Sequence, residues 1–274
     1  MTNTRSWLPP EWHKTIVHIE RLIKDDKGNE VFLPIGTGFI TEYENFNILI
    51  TCKHVIFDLH LNTLIPKVFV SFNQKDGTLG RRSVEELKKA FQIDWQFHQN
   101  PGIDLAVIPF AIDFAKDDLK RAGKDLFEDF ERLAEGEDIF FLGYPALDIR
   151  MEKHIKPIVR SGIISLVQPN KTFLIDANVF PGNSGSPVFL KPSFMDYQTS
   201  VIGQLKPAKF IGIISSYLSY RDMAISQQTG RPRITFEENS GLANVYSSSI
   251  IEEIFSSTDF KNKMAELKKH IPPT

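Results

Sequence analysis

The sequence has only one cysteine, Cys52, so an intrachain disulfide bond is excluded. It has no apolar run long enough to cross a membrane, and residues 1–10 lack the apolar core of a secretory signal. Its formal net charge of −2 lacks the basic excess of nucleic-acid-binding proteins. These absences predict a cytoplasmic protein that is stabilised by its hydrophobic core and has neither nucleic acid nor membrane as a partner.

What the sequence does contain is ordinary for a globular protein, with 42% hydrophobic and 24% charged residues among 274. Short, β-branched apolar runs separated by Gly, Asn, Asp and Pro predict an all-β architecture. The predicted strands of the first half are 15–22, 33–41, 46–51, 67–72 and 105–110. Those of the second half are 138–142, 159–167, 172–177, 186–190, 210–215 and 241–246.

Three segments break this pattern and predict helices. Ser83 and Glu86 form a capping box in front of a short apolar run. Residues 116–136 carry leucine and phenylalanine at helical spacing. A second capping box, from Ser249 to Glu252, predicts the start of a C-terminal helix. The polar residues 218–240 are interpreted as an insertion.

The most informative segment is 180–187, Phe-Pro-Gly-Asn-Ser-Gly-Ser-Pro. Gly182 lies two positions before Ser184 and Gly185 follows it directly, so the backbone can turn sharply and project the hydroxyl group. In such a turn backbone N–H groups converge on one point, as the oxyanion of an acyl-transfer intermediate requires. The same composition is also typical of an ordinary turn, so the hypothesis needs support from elsewhere in the chain.

Two upstream segments give that support. The apolar run 47–55 carries His54 near its end, and Asp104 begins a second apolar run at 104–109. A carboxylate beside a buried strand requires a partner such as an imidazole N–H group. The chain order His54, Asp104, Ser184 is that of chymotrypsin and differs from the orders of subtilisin and the α/β-hydrolases.

The chain resembles the trypsin-like peptidases, particularly the bacterial branch with the HtrA/Deg protease domain. The resemblance covers about residues 31–250 and rests on eight collinear segments: 36–40, 50–55, 104–107, 142–145, 161–165, 176–177, 182–185 and 212–215. It leaves no segment that would form the PDZ domain of HtrA relatives.

This resemblance implies one domain over residues 1–274, with two antiparallel β-barrels of chymotrypsin type. The expected parts are a first barrel at about 15–115, a connecting helix at about 116–136, a second barrel at about 137–247 and a C-terminal helix at about 249–269.

The resemblance also implies a role for each matching residue. Ser184 would be the nucleophile, His54 its general base, and Asp104 the group that orients the imidazole. The backbone N–H groups of Gly182 and Ser184 would form the oxyanion hole. The residues expected to contact the substrate are Asn178, Ser215, Ser216, Tyr217 and Asn244.

Two asparagines depart from trypsin proper. Asn183 stands where digestive peptidases have an aspartate that pairs with a newly cut N-terminus, so activation by such a cut is not expected. Asn178 stands at the expected base of the specificity pocket. Because a buried cation without a carboxylate partner is costly, a preference for Arg or Lys is not expected either.

We therefore expect a serine endopeptidase that acts on protein or peptide substrates as a regulatory intracellular protease, with an oligomer or activating partner left open. The alternative is a non-catalytic or latent peptide-binding module that uses the same groove. No cofactor or metal is predicted. The potential ligands Cys52, His54, Asp58 and His60 have only loose spacing, and the segment 36–38 lacks the third glycine of a dinucleotide loop.

Overall fold

The computed structural model describes residue 8, residues 10–146 and residues 154–270. Its first half contains nine strands: β1 Ile16–Lys24, β2 Glu30–Tyr43, β3 Phe46–Thr51, β4 Phe57–Asp58, β5 Thr63–Leu64, β6 Val68–Asn73, β7 Leu79–Ser83, β8 Gln96–Phe97 and β9 Ala106–Pro109. Seven of them form one antiparallel sheet in the order β7-β6-β1-β2-β3-β9-β8, and β4 pairs with β5. Short helices α1 Pro10–His13, α2 Lys53–Ile56 and α3 Val84–Phe91 accompany this sheet. Ser83 precedes α3 as its N-cap residue, at the predicted position, but its side chain makes no capping hydrogen bond.

The second half forms a closed barrel in the strand order β10-β11-β12-β17-β16-β13. Its elements are β10 Asp138–Gly143, β11 Ile158–Val167, β12 Thr172–Asp176, β13 Pro187–Leu190, β16 Lys209–Ile225 and β17 Pro232–Ser247, with a separate hairpin of β14 Ser193–Asp196 and β15 Val201–Lys206. The predicted all-β, chymotrypsin-type architecture is confirmed. Among the described residues, only the second sheet closes into a hydrogen-bonded ring.

The predicted connecting helix at 116–136 is wrong. That segment holds only two short 3₁₀ helices, Lys124–Leu126 and Phe130–Arg132. Its backbone bonds to neighbouring strands: the N–H of Ala122 donates to Ile40, and that of Glu128 donates to Phe210. The apolar spacing that suggested a helix instead anchors an extended strap. Its apolar side chains from Leu119 to Phe127 pack into one hydrophobic cluster, and Phe130 and Leu133 pack into a second.

The expected single C-terminal helix is two helices, α4 Ser248–Ser256 and α5 Thr258–His270. The break falls at Ser257, whose backbone is extended and whose hydroxyl donates to the carbonyl of Ile254. After the break, the ring of Phe260 stacks on that of Phe255 at 5.2 Å between centroids. Both rings contact Tyr43 of β2, so the two helices pack against the first sheet.

The segment 218–240, interpreted as an insertion, continues the strands β16 and β17. The two strands pair antiparallel from Gly212 with Ser247 to Ile225 with Pro232, with register shifts after Ile214, Tyr217 and Ala224. Nearly every residue of this segment is exposed, so the hairpin projects from the barrel. We call residues 218–240 the arm.

An aromatic cluster joins the two halves of the molecule. Phe39 of β2 contacts Phe210 of β16 at 4.7 Å between ring centroids, and Phe140 stacks on Phe189 at 5.1 Å. All four rings are fully buried. Because burial of each aromatic side chain stabilises by roughly 1.5–3 kcal/mol, this cluster fixes the halves relative to each other.

Candidate active site

His54 lies at the end of a buried strand that delivers it to the cleft. The strand β3 is buried throughout and ends at Thr51, and the short helix α2 then turns His54 outward. Its backbone N–H donates to Asp104 Oδ1 at 2.8 Å, and its Nδ1 lies 2.6 Å from Asp104 Oδ2. The imidazole side chain remains 40% exposed, so its other nitrogen is accessible from the cleft.

Asp104 is held by donors from both halves of the molecule. Besides its two bonds from His54, its Oδ2 accepts a hydrogen bond from the Ser215 hydroxyl at 3.2 Å. Its own carbonyl accepts from the N–H of Lys53 at 3.2 Å. Both carboxylate oxygens are therefore occupied, and this fixes the plane of the carboxylate and the tautomer of the histidine it contacts.

Ser184 completes the constellation from the second barrel. Its Oγ lies 3.0 Å from His54 Nε2 and 2.9 Å from the carbonyl oxygen of Ser215. A hydroxyl group has one hydrogen, so it can donate to only one of these two acceptors at a time. The arrangement that makes the oxygen nucleophilic is the one in which the hydrogen points to His54.

The loop around Ser184 depends on two glycines with a φ of +90°. A Cβ atom at Gly185 would lie 1.9 Å from the carbonyl oxygen of Thr37, which no side chain can tolerate. A Cβ atom at Gly182 would lie 2.4 Å from the carbonyl oxygen of Tyr144. Within the described part of the chain, the N–H groups of Gly182 and Ser184 make no hydrogen bond. Both remain available to a ligand.

Thr37 of β2 ties this loop to the first sheet. Its hydroxyl donates to the carbonyl of Gly182 at 2.8 Å and accepts from the N–H of Tyr144 at 2.9 Å. Its own N–H donates to the carbonyl of Ser184 at 2.9 Å. Thr37 is fully buried, so these bonds are shielded from water. Sequence reasoning gave Thr37 no role in this network, although the collinear segment 36–40 contains it.

Cys52, His54 and Asp104 each offer a ligand atom, and these atoms lie within 4.8 Å of one another. Complete burial and the nearby Asp104 carboxylate raise the pKa of the Cys52 thiol well above its ordinary value. Since the thiolate is the form that binds metal, this environment opposes metal binding. Asp58 and His60 are not in the cluster. Asp58 Oδ1 instead accepts the N–H of His60 at 2.9 Å within a turn.

Asn183 lies buried behind the nucleophile loop, where it is 1% exposed. Its side-chain oxygen and nitrogen, and the nearby Ser186 hydroxyl, have no hydrogen-bond partner among the described residues. A Cβ atom at Gly143 would lie 2.8 Å from Asn183 Oδ1 and 2.0 Å from Ser186 Oγ. The neutral amide of Asn183 and the hydroxyl of Ser186 therefore pack closely against Gly143 behind the loop.

The residues expected to contact substrate fall into two places. Ser215, Ser216 and Asn244 line a cavity of about 420 Å³ beside Asp104. Asn244 Nδ2 lies 3.4 Å from Ser216 Oγ across the β16–β17 pair. Tyr217 packs against the core of the second barrel. Asn178 does not line this cavity: it is exposed, and its carbonyl accepts a hydrogen bond.

The donor to Asn178 is Arg160, which sequence reasoning missed. Arg160 Nη1 donates to the Asn178 carbonyl at 2.8 Å, and the guanidinium lies 4.8 Å from the centroid of the Phe180 ring. A positive charge therefore lies next to the segment that precedes the nucleophile. Arg160 in β11 gives no sequence signal for this role, because its partner Asn178 lies in the loop that follows β12, 18 residues further along the chain.

Two solved structures of HtrA-type proteases are similar to this chain at low sequence identity. The HtrA-type protease AlgW with a decapeptide is 15% identical, with a TM-score of 0.47 over 95% of this chain and 65% of that chain. The HtrA-type protease AlgW with a tripeptide is 16% identical, with a TM-score of 0.45 over 89% of this chain and 59% of that chain. The chain thus spans less than two thirds of the length of either.

No curated protein matches the chain. Among the described residues, no helix is both long and apolar enough to span a membrane. Residues 36–192, more than half of the chain, match the model of the trypsin-like peptidase domain, and they include His54, Asp104 and Ser184. The chain belongs to the trypsin-like peptidase family.

Proposed function

We propose that this protein is a serine endopeptidase that hydrolyses peptide bonds of protein substrates through His54, Asp104 and Ser184. The observation that carries the proposal is the continuous chain of contacts from Asp104 Oδ2 through the imidazole to Ser184 Oγ, at 2.6 Å and 3.0 Å. A serine hydroxyl is too weak an acid to attack unaided, and an adjacent, oriented imidazole supplies the base that it needs.

The first half of the reaction acylates the enzyme. Ser184 Oγ attacks the scissile carbonyl carbon while its proton passes to His54 Nε2, and the carbonyl oxygen becomes an oxyanion. The unoccupied N–H groups of Gly182 and Ser184 are the donors that we assign to this oxyanion. His54 then protonates the leaving amine as the C–N bond breaks, which leaves an acyl group on Ser184.

The second half returns the enzyme to its starting state. Water gives a proton to His54 Nε2 and attacks the acyl carbon, and His54 then returns the proton to Ser184 as the C–O bond breaks. Throughout, Asp104 keeps the Nδ1 proton in place and stabilises the imidazolium. The Ser215 hydroxyl, which donates to Asp104 Oδ2, acts as a positioning residue.

We also propose that the protein acts in the cytoplasm on a limited set of substrates. The support is that its fold is stabilised without any disulfide bond, with its one thiol buried and its core continuous across both halves. Whether it needs a partner or an oligomer for activity stays open in this proposal. Fractionation of cells that express the full chain would test the location.

A serine-directed fluorophosphonate probe tests the catalytic proposal. Wild-type protein should label at Ser184, and Ser184→Ala should fold normally, lose labelling and lose turnover by roughly three to six orders of magnitude. Residues 1–7 lie outside the described part of the chain, and we propose that labelling needs no trimming there. Folded wild-type protein that does not label would favour the peptide-binding or latent alternative.

A further inference from the structure

One edge of strand β16 is open from the active site outward. On that side, β13 pairs with β16 only as far as Pro187 opposite Ile213. On the other side, β17 pairs with β16 out to Ile225. Over the described residues, no strand covers the first edge beyond Ile213, so alternate backbone N–H and C=O groups from Ser215 to Ile225 face outward.

This open edge begins at the reaction centre. The carbonyl oxygen of Ser215 lies 2.9 Å from Ser184 Oγ, so this carbonyl faces the place where a scissile bond would lie. At about 3.3 Å per residue, the edge from Ser215 to Ile225 extends for about 35 Å. A peptide bound antiparallel to β16 in the cleft would therefore continue along the arm with its N-terminal residues.

The arm carries large apolar side chains on both faces; three of them lie together on one face, and Met223 lies on the other. Paired residues share a face of a β-ribbon, and the register places Tyr220 opposite Glu238, Asp222 opposite Phe236 and Ala224 opposite Ile234. On this face Tyr220 is 61% exposed, Phe236 53% and Ile234 58%. A contiguous exposed apolar patch of this kind is uncommon on a protein without a binding role there.

The same face is acidic. Asp222 and Glu238 lie on it, and neither forms an ion pair among the described residues. The charges of the opposite face are partly neutralised, because Arg221 Nη2 lies 3.5 Å from Glu237 Oε1. We call the face with Tyr220, Asp222, Ile234, Phe236 and Glu238 the apolar-acidic face. Its charge is complementary to a segment that carries Lys or Arg among apolar residues.

We propose that the arm binds the part of a protein substrate that precedes the scissile bond, as an added strand on the open edge of β16, and selects segments in which basic residues alternate with apolar ones on the apolar-acidic face. This inference rests on the proposed peptidase function and extends it from the cleavage site to a substrate class. The main-chain bonds would give affinity, and the side chains opposite Tyr220 and Asp222 would give specificity.

Matched peptides test the proposal. A short fluorogenic core peptide that the wild-type protein cleaves is taken from a peptide library and extended at its N-terminus by ten residues. Every second residue of the extension is Ser, and the residues between alternate Lys with Val (the Lys-Val peptide) or Glu with Val (the Glu-Val peptide), so that both kinds of side chain share one face of the added strand. The measured quantity is the ratio of kcat/KM for each long peptide to kcat/KM for the core. In the wild type we expect the Lys-Val ratio to be about tenfold or more, and the Glu-Val ratio to be near one.

The double variant Asp222→Lys/Glu238→Lys should lower the Lys-Val ratio by about tenfold, because charge reversal replaces attraction with repulsion. Both side chains are exposed and away from the core, so the fold is unaffected. The control is Asp26→Lys/Glu30→Lys, which makes the same change of charge on the exposed β1–β2 hairpin. It should keep the wild-type ratio, and equal ratios in the two double variants would overturn the proposal.

Binding without cleavage separates this inference from the catalytic proposal. Fluorescence anisotropy of the labelled Lys-Val peptide is measured with Ser184→Ala, with and without the Asp222→Lys/Glu238→Lys change. Binding that the arm change abolishes supports the arm even if no peptide is cleaved and no fluorophosphonate label appears, an outcome that would contradict only the peptidase function. No binding, or an arm that only joins two copies of the chain in size-exclusion chromatography, would overturn the inference.

Discussion

The hydroxyl of Thr37 provides a test of how the nucleophile loop is held. The substitution Thr37→Val keeps the shape of the side chain and removes the hydroxyl. The Gly182 carbonyl then loses its donor, at 2.8 Å, and the Tyr144 N–H loses its acceptor, at 2.9 Å. Each buried group left without a partner costs about 1–3 kcal/mol, so the free energy of unfolding should fall by about 2–6 kcal/mol.

The same substitution should also slow catalysis. Without this donor the peptide between Gly182 and Asn183 can rotate, and the adjoining peptide that carries the Gly182 N–H then loses its alignment. Since loss of one oxyanion donor costs about 100- to 1000-fold in kcat, partial misalignment should cost about 10- to 100-fold. The rate constant of fluorophosphonate labelling measures this effect, and urea unfolding measures the stability.

Thr41→Val is the matched control on the same strand. Thr41 is equally buried, and its hydroxyl donates to the Ala122 carbonyl at 2.9 Å. That carbonyl keeps a second donor, the N–H of Glu42, so the loss of stability should be only about 1 kcal/mol. Labelling should stay at the wild-type rate. If folded Thr37→Val labels as fast as Thr41→Val, the proposed link between Thr37 and the loop is refuted.

Two further predictions concern charge. Burial lowers the pKa of His18 below its ordinary value, so the unfolded chain binds more protons at this residue than the folded chain does. The free energy of unfolding should therefore fall as the pH drops below about 6.5. Thermal unfolding of His18→Phe, which keeps the ring stack on Tyr144, should show a smaller fall. The guanidinium of Arg160 beside Asn178 should disfavour a basic residue at the cleaved position by charge repulsion. Library profiling of the wild-type protein should therefore show little cleavage after Arg or Lys, and Arg160→Gln should raise that cleavage several-fold. An unchanged profile would separate Arg160 from the specificity pocket.

Sequence reasoning predicted correctly those segments whose residue pattern fits one conformation and whose burial in the fold requires that same conformation. The strands around His54 and Asp104 are short, apolar and β-branched, and their burial in the sheet leaves no other conformation for them. The turn at Gly182 and Gly185 could be predicted for the same reason, because only glycine adopts their positive φ without strain.

It was wrong where one pattern fits two structures. The apolar spacing of 116–136 suits a helix, yet it equally suits a strap whose side chains enter two cores in turn. The arm lacked an apolar core signal because both of its faces are exposed, so nothing in its composition distinguished a projecting hairpin from a loop. The contact of Arg160 with Asn178 joins a residue of β11 to the loop after β12, and only the packed barrel brings them together.

Because Cys52 is buried where the two halves meet, the reactivity of its thiol reports the separation of the two halves. Its thiol is fully buried and donates to the carbonyl of Ile214 at 3.1 Å, across the junction between the first sheet and the second barrel. As the only thiol of the chain, it can meet an alkylating reagent only when the two halves separate there. The rate of alkylation therefore measures how often the junction opens. A ligand that binds in the cleft and holds the two halves together would lower this rate without contacting the cysteine.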